Sequence, residues 1–347
     1  MGVFYCSRED VKAALDAKLT ARSDAQIDRI IEQSSRFIEG LTHRKFYPLS
    51  TTIYKDWPNF QYARSWRVWL DQHPLVSVTT ITSGGVVIAA TDYFLRPDDG
   101  PPYSHIEIDL DSSASFGGGS THQRDIAILG VAHWPEVPLS TGSLGEDLTS
   151  GETDVDVSDS SAIGVGDIIR IDSERMTVTG RSMLDTGVDI DAGDSLTASP
   201  ADVSITVSGS SGAPVVGETI LIDSERMLVV DRAGLVLTVK RAWDGSVLAT
   251  HAGSASIYAP RTLTVERGAL GTTAATHSTS AAIVKHVAPV RTLCVAESVN
   301  TYLQETSGYA REVGSGDNTR EASGRGLSDL REQIRTTYGR KARIRAV

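Results

Sequence analysis

The chain has 347 residues, with 44 acidic and 33 basic side chains and a formal net charge of −11. This length exceeds the roughly 250–300 residues at which a single hydrophobic core stops growing, so we expect more than one domain. Hydrophobic residues make up 40% and charged residues 22% of the chain, which excludes a disordered protein. No apolar run reaches the ~18–20 residues that a membrane-spanning helix needs, so we expect no membrane partner.

The negative charge is concentrated in the middle of the sequence. Residues 139–286 contain 20 acidic and 10 basic side chains, a net charge of −10, and −11 minus −10 leaves −1 for the remainder. A protein that reads a nucleic-acid sequence is normally basic. The composition therefore argues against sequence-specific DNA binding and predicts an acidic insertion in a nearly neutral frame.

The first part of the frame, residues 1–138, is predicted to be two helices followed by a block of strands. Ser7 with Asp10 resembles a capping box at a helix start, and the same signal recurs one helix later. Side chains then alternate with period two, and Gly84 with Gly85 marks a hairpin turn. The expected strands are 52–57, 66–70, 76–81, 86–88, 93–95, 106–108 and 126–131.

The second part of the frame, residues 287–347, is predicted to resume with a helix after Pro289. Its apolar stripe is expected at Leu293, Ala296, Val299 and Leu303. Residues 307–326 are rich in glycine and show no periodicity. A segment of this length is unusual in a compact domain, so we expect an arm that a partner orders.

A final amphipathic helix with a basic tail follows this arm. Its stripe consists of Leu327, Leu330, Ile334 and Tyr338, and its tail contains Arg340, Lys341, Arg343 and Arg345. Such a helix cannot easily bury its stripe within its own domain, so we expect it to dock on a partner. An ordinary surface helix with a solvated tail is the alternative.

Two motifs each occur twice within the acidic region. Residues 166–178 recur at 217–229 with nine of 13 positions identical, including the string IDSERM. Residues 237–257 recur at 263–283 with 11 of 21 positions identical. The region 139–286 is therefore predicted to be an all-β insertion built from a duplicated module.

The order of these motifs predicts that the two copies are nested. The order is first, first, second, second, which no simple tandem array produces. We expect an inner module at about 185–258 and an outer module at about 153–181 plus 261–286, so that one β module is inserted in a hairpin of the other. In the alternative, tandem folding, strands 168–178 and 263–265 would not pair. The whole chain is predicted to be α+β.

Four acidic residues in the repeated turns are weak candidates for cation binding, namely Asp172, Glu174, Asp223 and Glu225. Ca²⁺ prefers carboxylate oxygens, but two carboxylates per module fall short of its shell of about six to eight oxygens. Asp-Ser-Glu between apolar strands is also typical of a hairpin turn, which we favour. His251 and His277 recur without a Cys or acidic pair at zinc spacing and are expected to be structural.

The sequence contains no nucleophile elbow, Walker A loop, H-E-x-x-H pair or dinucleotide-binding glycine motif. A cell-wall hydrolase would need a compact carboxylate pair or a metal triad, which the sequence does not show. We therefore expect no enzyme, no catalytic residues, no metal and no cofactor. Cys6 and Cys294 lie almost a chain length apart, which argues against a disulfide framework and fits a reducing compartment.

The combination of these features resembles head–tail adaptor (connector) proteins of long-tailed bacteriophages. The likeness lies in the two opening helices, the aromatic strand block with the string RPDDGPPY at 96–103, the strand ending at Trp134 and Pro135, and the return to a helix at Val290. The strings IDSERM and LTVERGALGTTAATH and the arm at 308–326 resemble expanded adaptors of phages that infect actinobacteria. The insertion 139–286 departs from shorter adaptors.

This resemblance implies three parts and a place in the virion. Residues 1–138 and 287–347 would form a helical/β adaptor core, with 139–286 as an acidic β insertion. About twelve copies would form a ring, a dodecamer, in the neck of the virion, between the portal protein and a tail-side connector or terminator. The ring would assemble in the host cytoplasm, and DNA would pass through it during packaging and ejection without sequence-specific binding.

Adaptors of this family dock on the portal through their C-terminal segment. The resemblance therefore assigns portal binding to the apolar stripe 327–338 and to the basic residues of the tail. The alternative function is a phage tail or decoration protein whose β modules bind a glycan on the host surface.

Overall fold

The chain folds as a mixture of α-helices and antiparallel β-sheets, in a computed structural model that describes residues 2–15, 23–58, 64–307, 312–313, 320–321 and 325–340. The α+β class is confirmed at this coarse level. The chain divides into two compact units. Unit 1 comprises Met1–Ile38, Pro138–Ala269 and Thr273–Ile334, and unit 2 comprises Glu39–Val137, Leu270–Thr272 and Arg335–Val347.

Unit 2 contains two antiparallel sheets. Their strands are β1 (Pro48–Lys55), β2 (Arg67–Trp69), β3 (Leu75–Ser83), β4 (Val86–Ile88), β5 (Tyr93–Arg96), β6 (His105–Ile108) and β7 (Ile126–His133). One sheet has the order β1-β7-β3-β4, and the other has the order β2-β6-β5. Each strand expected in this block of the sequence is present, with its ends shifted by a few residues.

Side-chain alternation along these strands produces the core of unit 2. Ile53, Ile128, Ile81 and Ile88 are cross-strand neighbours on β1, β7, β3 and β4, and each is at most 7% exposed. Leu129 follows Ile128, lies on the opposite face of the sheet and is 44% exposed. Because successive side chains of a strand point to opposite faces, the period-two pattern determines which face is buried.

The hairpin expected at Gly84 and Gly85 is confirmed. Ser83 pairs with Val86, so the two glycines form a two-residue turn between β3 and β4. Their φ angles are 57° and 82°. A tight hairpin of this kind needs positive φ at both central positions, which glycine adopts without a steric penalty.

Unit 1 contains the acidic region as one large antiparallel sheet. Its strands are β8 (Pro138–Ser143), β9 (Asp154–Asp156), β10 (Ile168–Ile171), β11 (Glu174–Asp189), β12 (Ser204–Thr206), β13 (Thr219–Ile222), β14 (Glu225–Ala233), β15 (Val236–Lys240), β16 (Ser256–Glu266) and β17 (Ala282–His286). The strand order is β12-β15-β14-β13-β16-β11-β10-β17-β8, and β9 pairs with β16. The long strands β11 and β16 run side by side at the centre of this order.

The first and last strands of the acidic region are neighbours in the sheet. Strand β8 pairs with β17, and Pro138 lies opposite His286 in the register. Strand pairing therefore holds the two ends of the segment 139–286 together.

Four helices and one short strand pair complete the described residues. They are α1 (Arg8–Leu15), α2 (Asp24–Thr42), α3 (Arg291–Thr306), α4 (Arg325–Tyr338), β18 (Glu312–Val313) and β19 (Arg320–Glu321), of which the two strands pair antiparallel. None of these helices is both long enough and apolar enough to cross a membrane.

The capping box expected at the start of α1 is confirmed. The backbone N–H of Ser7 donates to Oδ2 of Asp10 at 3.0 Å, and the backbone N–H of Asp10 donates to Oγ of Ser7 at 3.2 Å. These reciprocal bonds satisfy donors that a helix start otherwise leaves unpaired.

The apolar stripe expected on α3 is only partly correct, because Leu293 is buried and Ala296 and Val299 are half-buried. The buried residues of this helix are Leu293, Cys294, Glu297, Ser298 and Tyr302, whereas the expected Leu303 is 51% exposed. The buried face is polar and small because it packs on similar residues of α2. Ser298 Oγ donates to Ser34 Oγ at 3.2 Å, so part of the buried face is polar and lies beside the expected stripe.

The units divide between Val137 and Pro138, and unit 1 continues through residues 286 and 287 into α3. Residues of α1 bind the acidic region, which places both in unit 1. The N–H of Arg8 donates to the carbonyl of Val165 at 3.0 Å, and the N–H of Val165 donates to Oε2 of Glu9 at 2.7 Å. Lys12 forms an ion pair with Asp244 at 2.9 Å.

Candidate functional site: two ion clusters and the C-terminal helix

The repeated Asp-Ser-Glu segments lie at two tight hairpins. Ile171 pairs with Glu174, and Ile222 pairs with Glu225, so each Asp-Ser dipeptide forms a two-residue turn. The φ angle is 51° at Asp172 and also 51° at Asp223. Short acidic side chains tolerate this left-handed conformation better than most residues, which accounts for Asp at both turns.

Glu225 is the centre of a buried ion cluster. Its two carboxylate oxygens accept from Nε and Nη2 of Arg241, both at 2.8 Å. The same oxygens accept from the backbone N–H groups of Ala242 at 2.8 Å and Ala249 at 2.9 Å. Nε2 of His251 lies 3.1 Å away. We call Glu225, Arg241, His251 and the turn residue Asp223 the Glu225 cluster.

Glu174 is the centre of an equivalent cluster. Its oxygens accept from Nε of Arg267 at 2.8 Å and from Nη2 at 2.9 Å. The backbone N–H groups of Gly268 and Ala275 donate at 2.9 Å, and Nε2 of His277 lies 2.9 Å away. We call Glu174, Arg267, His277 and Asp172 the Glu174 cluster. Each contact in it has a counterpart in the Glu225 cluster.

The two arginines use their remaining donors on backbone carbonyls of nearby loops. Nη1 of Arg241 donates to the carbonyls of Thr197 and Asp202, and Nη1 of Arg267 donates to those of Thr149 and Glu152. Burial of an ion pair is costly unless the geometry is good and further hydrogen bonds satisfy the remaining donors and acceptors. Both clusters meet this condition, so each holds together a hairpin, a loop and the end of a later strand.

The histidines connect the buried glutamates to exposed aspartates. Nδ1 of His251 lies 2.7 Å from Oδ2 of Asp223, and Nδ1 of His277 lies 2.8 Å from Oδ2 of Asp172. The aspartate side chains are 63% and 67% exposed, whereas the histidine side chains are at most 2% exposed. The structural role expected for both histidines corresponds to these contacts with the turns.

The pKa of each cluster glutamate is shifted strongly downward. Burial by itself would raise the pKa of Glu174 and Glu225, but the arginine partner, the backbone N–H donors and the histidine outweigh it and lower both values to about 2. Both glutamates are therefore ionised at neutral pH. Their oxygens are already occupied by five donors each. Within the residues that the structure describes, no group of three or more His, Cys, Asp or Glu side chains is arranged to hold a metal ion.

Two further buried carboxylates occupy the second position of the repeated motif. Glu218 accepts from Nε and Nη2 of Arg261 at 2.9 and 2.8 Å. Asp167 is paired with Lys285 at 2.6 Å, but burial outweighs this partner and raises the pKa of Asp167 to about 6. The motif thus supplies a buried acidic group at each end of a strand pair, always beside a cation.

Sequence reasoning had identified the glutamates but not their partners. Arg241 and Arg267 occupy equivalent positions of the second repeated motif, which spans 237–257 and 263–283. The repetition itself could have predicted these ion pairs. An acidic residue that recurs in one motif and a basic residue that recurs in the other can pair in the same way in both copies. The four acidic residues at 172, 174, 223 and 225 are brought together in pairs, one pair in each cluster.

The C-terminal helix α4 is more covered than the sequence led us to expect. Leu327 and Leu330 are half-buried, and Ile334 is buried at 8% exposed. The Tyr338 ring meets Phe46 edge-on at 5.8 Å between centroids, and it meets Trp134 edge-on at 5.7 Å. Tyr338 is therefore packed on aromatic residues of the same chain, whereas Leu327 and Leu330 are only half-buried.

Polar contacts also hold this helix. Arg331 donates to Glu297 from Nε at 2.5 Å and from Nη2 at 2.7 Å, and its guanidinium lies over the Phe37 ring at 5.2 Å. The N–H of Arg340 donates to the carbonyl of Thr42 at 2.9 Å. Lys341, Arg343 and Arg345, the other expected members of the basic tail, lie outside the described residues.

Comparisons of the chain with protein-family models, with curated proteins and with solved structures found no match. The arguments about function therefore depend on the residues themselves and on the contacts described above.

Replacing the cluster glutamates tests the two modules separately. Glu225→Gln keeps the shape of the side chain but leaves Arg241 buried without a counter-charge, which should cost about 3–5 kcal/mol. Hydrogen–deuterium exchange should increase mainly in peptides from 189–258. Glu174→Gln should instead increase exchange in peptides from 144–178 and 261–286.

The matched control for these variants is Glu266→Gln, because Glu266 is an exposed glutamate of the same sheet. Its melting temperature and exchange pattern should equal those of the unaltered chain. Equal melting temperatures for Glu225→Gln and Glu266→Gln would contradict the assignment of Glu225 as a structural centre.

The pH dependence of stability should report the same carboxylates. The folded pKa of Glu225 is lowered from 4.5 to about 2, so its ion pair stabilises the fold above pH 4.5 and loses that contribution as the pH falls towards 2. The difference in melting temperature between the unaltered chain and Glu225→Gln should therefore be constant from pH 8 to about pH 5. It should shrink below pH 4.5. A difference that vanishes already near pH 6 would contradict this account.

Proposed function

We propose that the chain is a structural protein of a virion, a head–tail adaptor that forms a ring between the portal and the tail of a long-tailed bacteriophage. The proposal starts from the resemblance in the helices, the strand block and the C-terminal arm. Its role would be mechanical and not enzymatic, with the portal protein on one side and a tail-side connector or terminator on the other. DNA would pass through the ring during packaging and ejection.

The observation that carries this proposal is the attachment of α4. In unit 1, the helix is held by the ion pair of Arg331 with Glu297, whose arginine side chain is 39% exposed. The Glu297 side chain is only 7% exposed, so loss of Arg331 would leave a buried carboxylate without its counter-charge. The half-buried Leu327 and Leu330 keep part of their surface facing water. Leu327 and Leu330 are therefore the part of the stripe that is available to a groove on the portal.

The positive charge on α4 and in the tail after it also supports docking of this helix on the portal. Arg331 and Arg340 lie on or directly after the helix, and the sequence continues with Lys341, Arg343 and Arg345. Arginine suits a groove with an acidic rim, because its planar guanidinium can bind a carboxylate with two parallel hydrogen bonds. An apolar stripe with flanking cations is the pattern of a helix that binds in a groove.

We further propose that the acidic insertion consists of two nested copies of one β module. The registers support this arrangement. Val178 on β11 pairs with Val265 on β16, and the aligned residue Val229 on β14 pairs with Val239 on β15. Both pairings have a register shift directly after that valine. The equivalent contacts of the Glu174 and Glu225 clusters support the nesting further, since the Glu174 cluster joins residues on either side of the inner module.

The charge of the insertion argues against tight binding of the DNA that would pass through the ring. Residues 139–286 carry a net charge of −10, which repels phosphate. Because Pro138 and His286 pair, the insertion would leave the adaptor core and return to it at one place. We favour an outward position, since modules inserted into hairpins usually decorate the periphery of an assembly.

Removing α4 should abolish portal binding. A chain truncated after Gly326 should bind the portal protein of the same phage at least a hundredfold more weakly in a surface-binding assay. Since Ile334 and Tyr338 contribute to packing, a second variant keeps the helix: Leu327→Ala with Leu330→Ala should weaken binding about tenfold or more. The control, Ser328→Ala with Asp329→Ala, changes exposed neighbours and should bind as the unaltered chain does.

Circular dichroism and hydrogen exchange should show that residues 48–133 and 138–286 remain folded in each variant. Unchanged binding by the truncated chain would contradict the proposal. It would also favour the alternative function, a tail or decoration protein that binds a host glycan.

A further inference from the structure

The two cysteines of the chain, which are 288 positions apart, touch in the folded protein. Sγ of Cys6 lies 3.2 Å from Sγ of Cys294, and both residues are free thiols. Cys6 is 2% exposed and Cys294 is 0% exposed. Separation in the sequence had argued against a disulfide, but the fold brings the amino-terminal segment onto α3 and places the two sulfur atoms side by side.

The surroundings hold both thiols in this position. The N–H of Tyr5 donates to Oγ of Ser35 at 3.1 Å, and that hydroxyl lies 3.6 Å from Sγ of Cys294. Phe4 packs on Gly166 so closely that a Cβ there would lie 2.3 Å from the phenylalanine ring. Cys6 is thus fixed by its neighbours on a short non-helical segment, while Cys294 is fixed on a helix.

The environment also distinguishes the two thiols. The hydrogen bond from Cys6 to Cys294, together with burial, raises the pKa of Cys6 well above its usual range. At Cys294, burial opposes ionisation, but hydrogen bonds from Cys6, Ser35 and the N–H of Tyr5 outweigh it and lower the pKa. Cys294 is therefore the thiol that ionises first, and Cys6 is its neighbouring proton donor.

We propose that Cys6 and Cys294 are a site of reversible oxidation, where a small-molecule disulfide such as oxidised glutathione converts the two thiols into an intramolecular disulfide. One protein thiolate attacks a sulfur of the oxidant, forms a mixed disulfide and releases the first glutathione thiolate. The other protein thiolate then attacks the protein sulfur of that mixed disulfide and releases the second glutathione. Two protein thiols lose two protons and two electrons, and one glutathione disulfide is reduced to two thiols.

The geometry makes this cross-link a local change. A disulfide requires a sulfur–sulfur distance of about 2.05 Å, so the atoms need to approach by roughly 1 Å. Oxidant reaches the site when the amino-terminal segment opens locally, since that segment is neither helix nor strand. The product joins residue 6 to residue 294 and closes a loop of most of the chain. Closing so long a loop restricts the unfolded chain, so the oxidised protein should be the more stable form.

The test uses the full chain with oxidised glutathione. Incubation is carried out at a low urea concentration at which iodoacetamide labels both thiols of a parallel sample, so that access is established. Digestion without reductant followed by mass spectrometry should then find one peptide pair joined between Cys6 and Cys294 in the monomer. The melting temperature should rise by several degrees and return to its starting value after dithiothreitol.

Cys6→Ser and Cys294→Ser are the matched controls. Each should melt at the same temperature with and without oxidised glutathione. The proposal would be overturned if both thiols are labelled by iodoacetamide while the joined peptide is absent, or if the disulfides that form link two chains. It would equally fail if cross-linking occurs but lowers the melting temperature relative to the reduced protein.

Discussion

The buried ion pair between a glutamate at a hairpin and an arginine directly after a later strand is the constraint on which the acidic region depends. Glu174 and Arg267 are 93 positions apart, yet they form two parallel hydrogen bonds with almost no exposure to water. A charge in such a place is tolerable only because every neighbouring donor is directed at it. The loop carbonyls that bind Arg267 and the histidine that binds Glu174 are held by the same requirement. The outer hairpin, its loop and the end of β16 therefore depend on one ion pair.

In the proposed nesting, the same constraint allows a second module to lie within the first. Glu225 and Arg241 are 16 positions apart and close their cluster inside the segment between the two halves of the outer cluster. Each ion pair is satisfied by its own loops, so neither cluster needs a residue of the other. The centre of the sheet is where the two meet, along the long strands β11 and β16. A module of this kind can be added to a frame at one hairpin, with the entry and exit strands β8 and β17 paired.

The sequence was informative where one physical rule dominates and misleading where several compete. Strands such as Ile126–His133 follow the period-two pattern because burial on one face decides the side-chain alternation. The Ser7–Asp10 cap was visible because it is local. The buried face of α3 was only partly predicted, because small and polar side chains such as Cys294 and Ser298 form much of its contact with α2. The Glu–Arg partners and the cysteine contact were hidden since both join distant segments. The coverage of Tyr338 could not be foreseen because it depends on the tertiary position of Phe46 and Trp134.

The central functional claim is that this chain forms a ring that stacks on a portal through α4. Electron microscopy of the purified full chain mixed with the portal protein of the same phage tests it most directly. The account predicts coaxial rings with matching symmetry, about twelvefold, and with the acidic modules projecting at the periphery. Particles in which the portal ring is unaccompanied, with this chain remaining separate from it, would contradict the account.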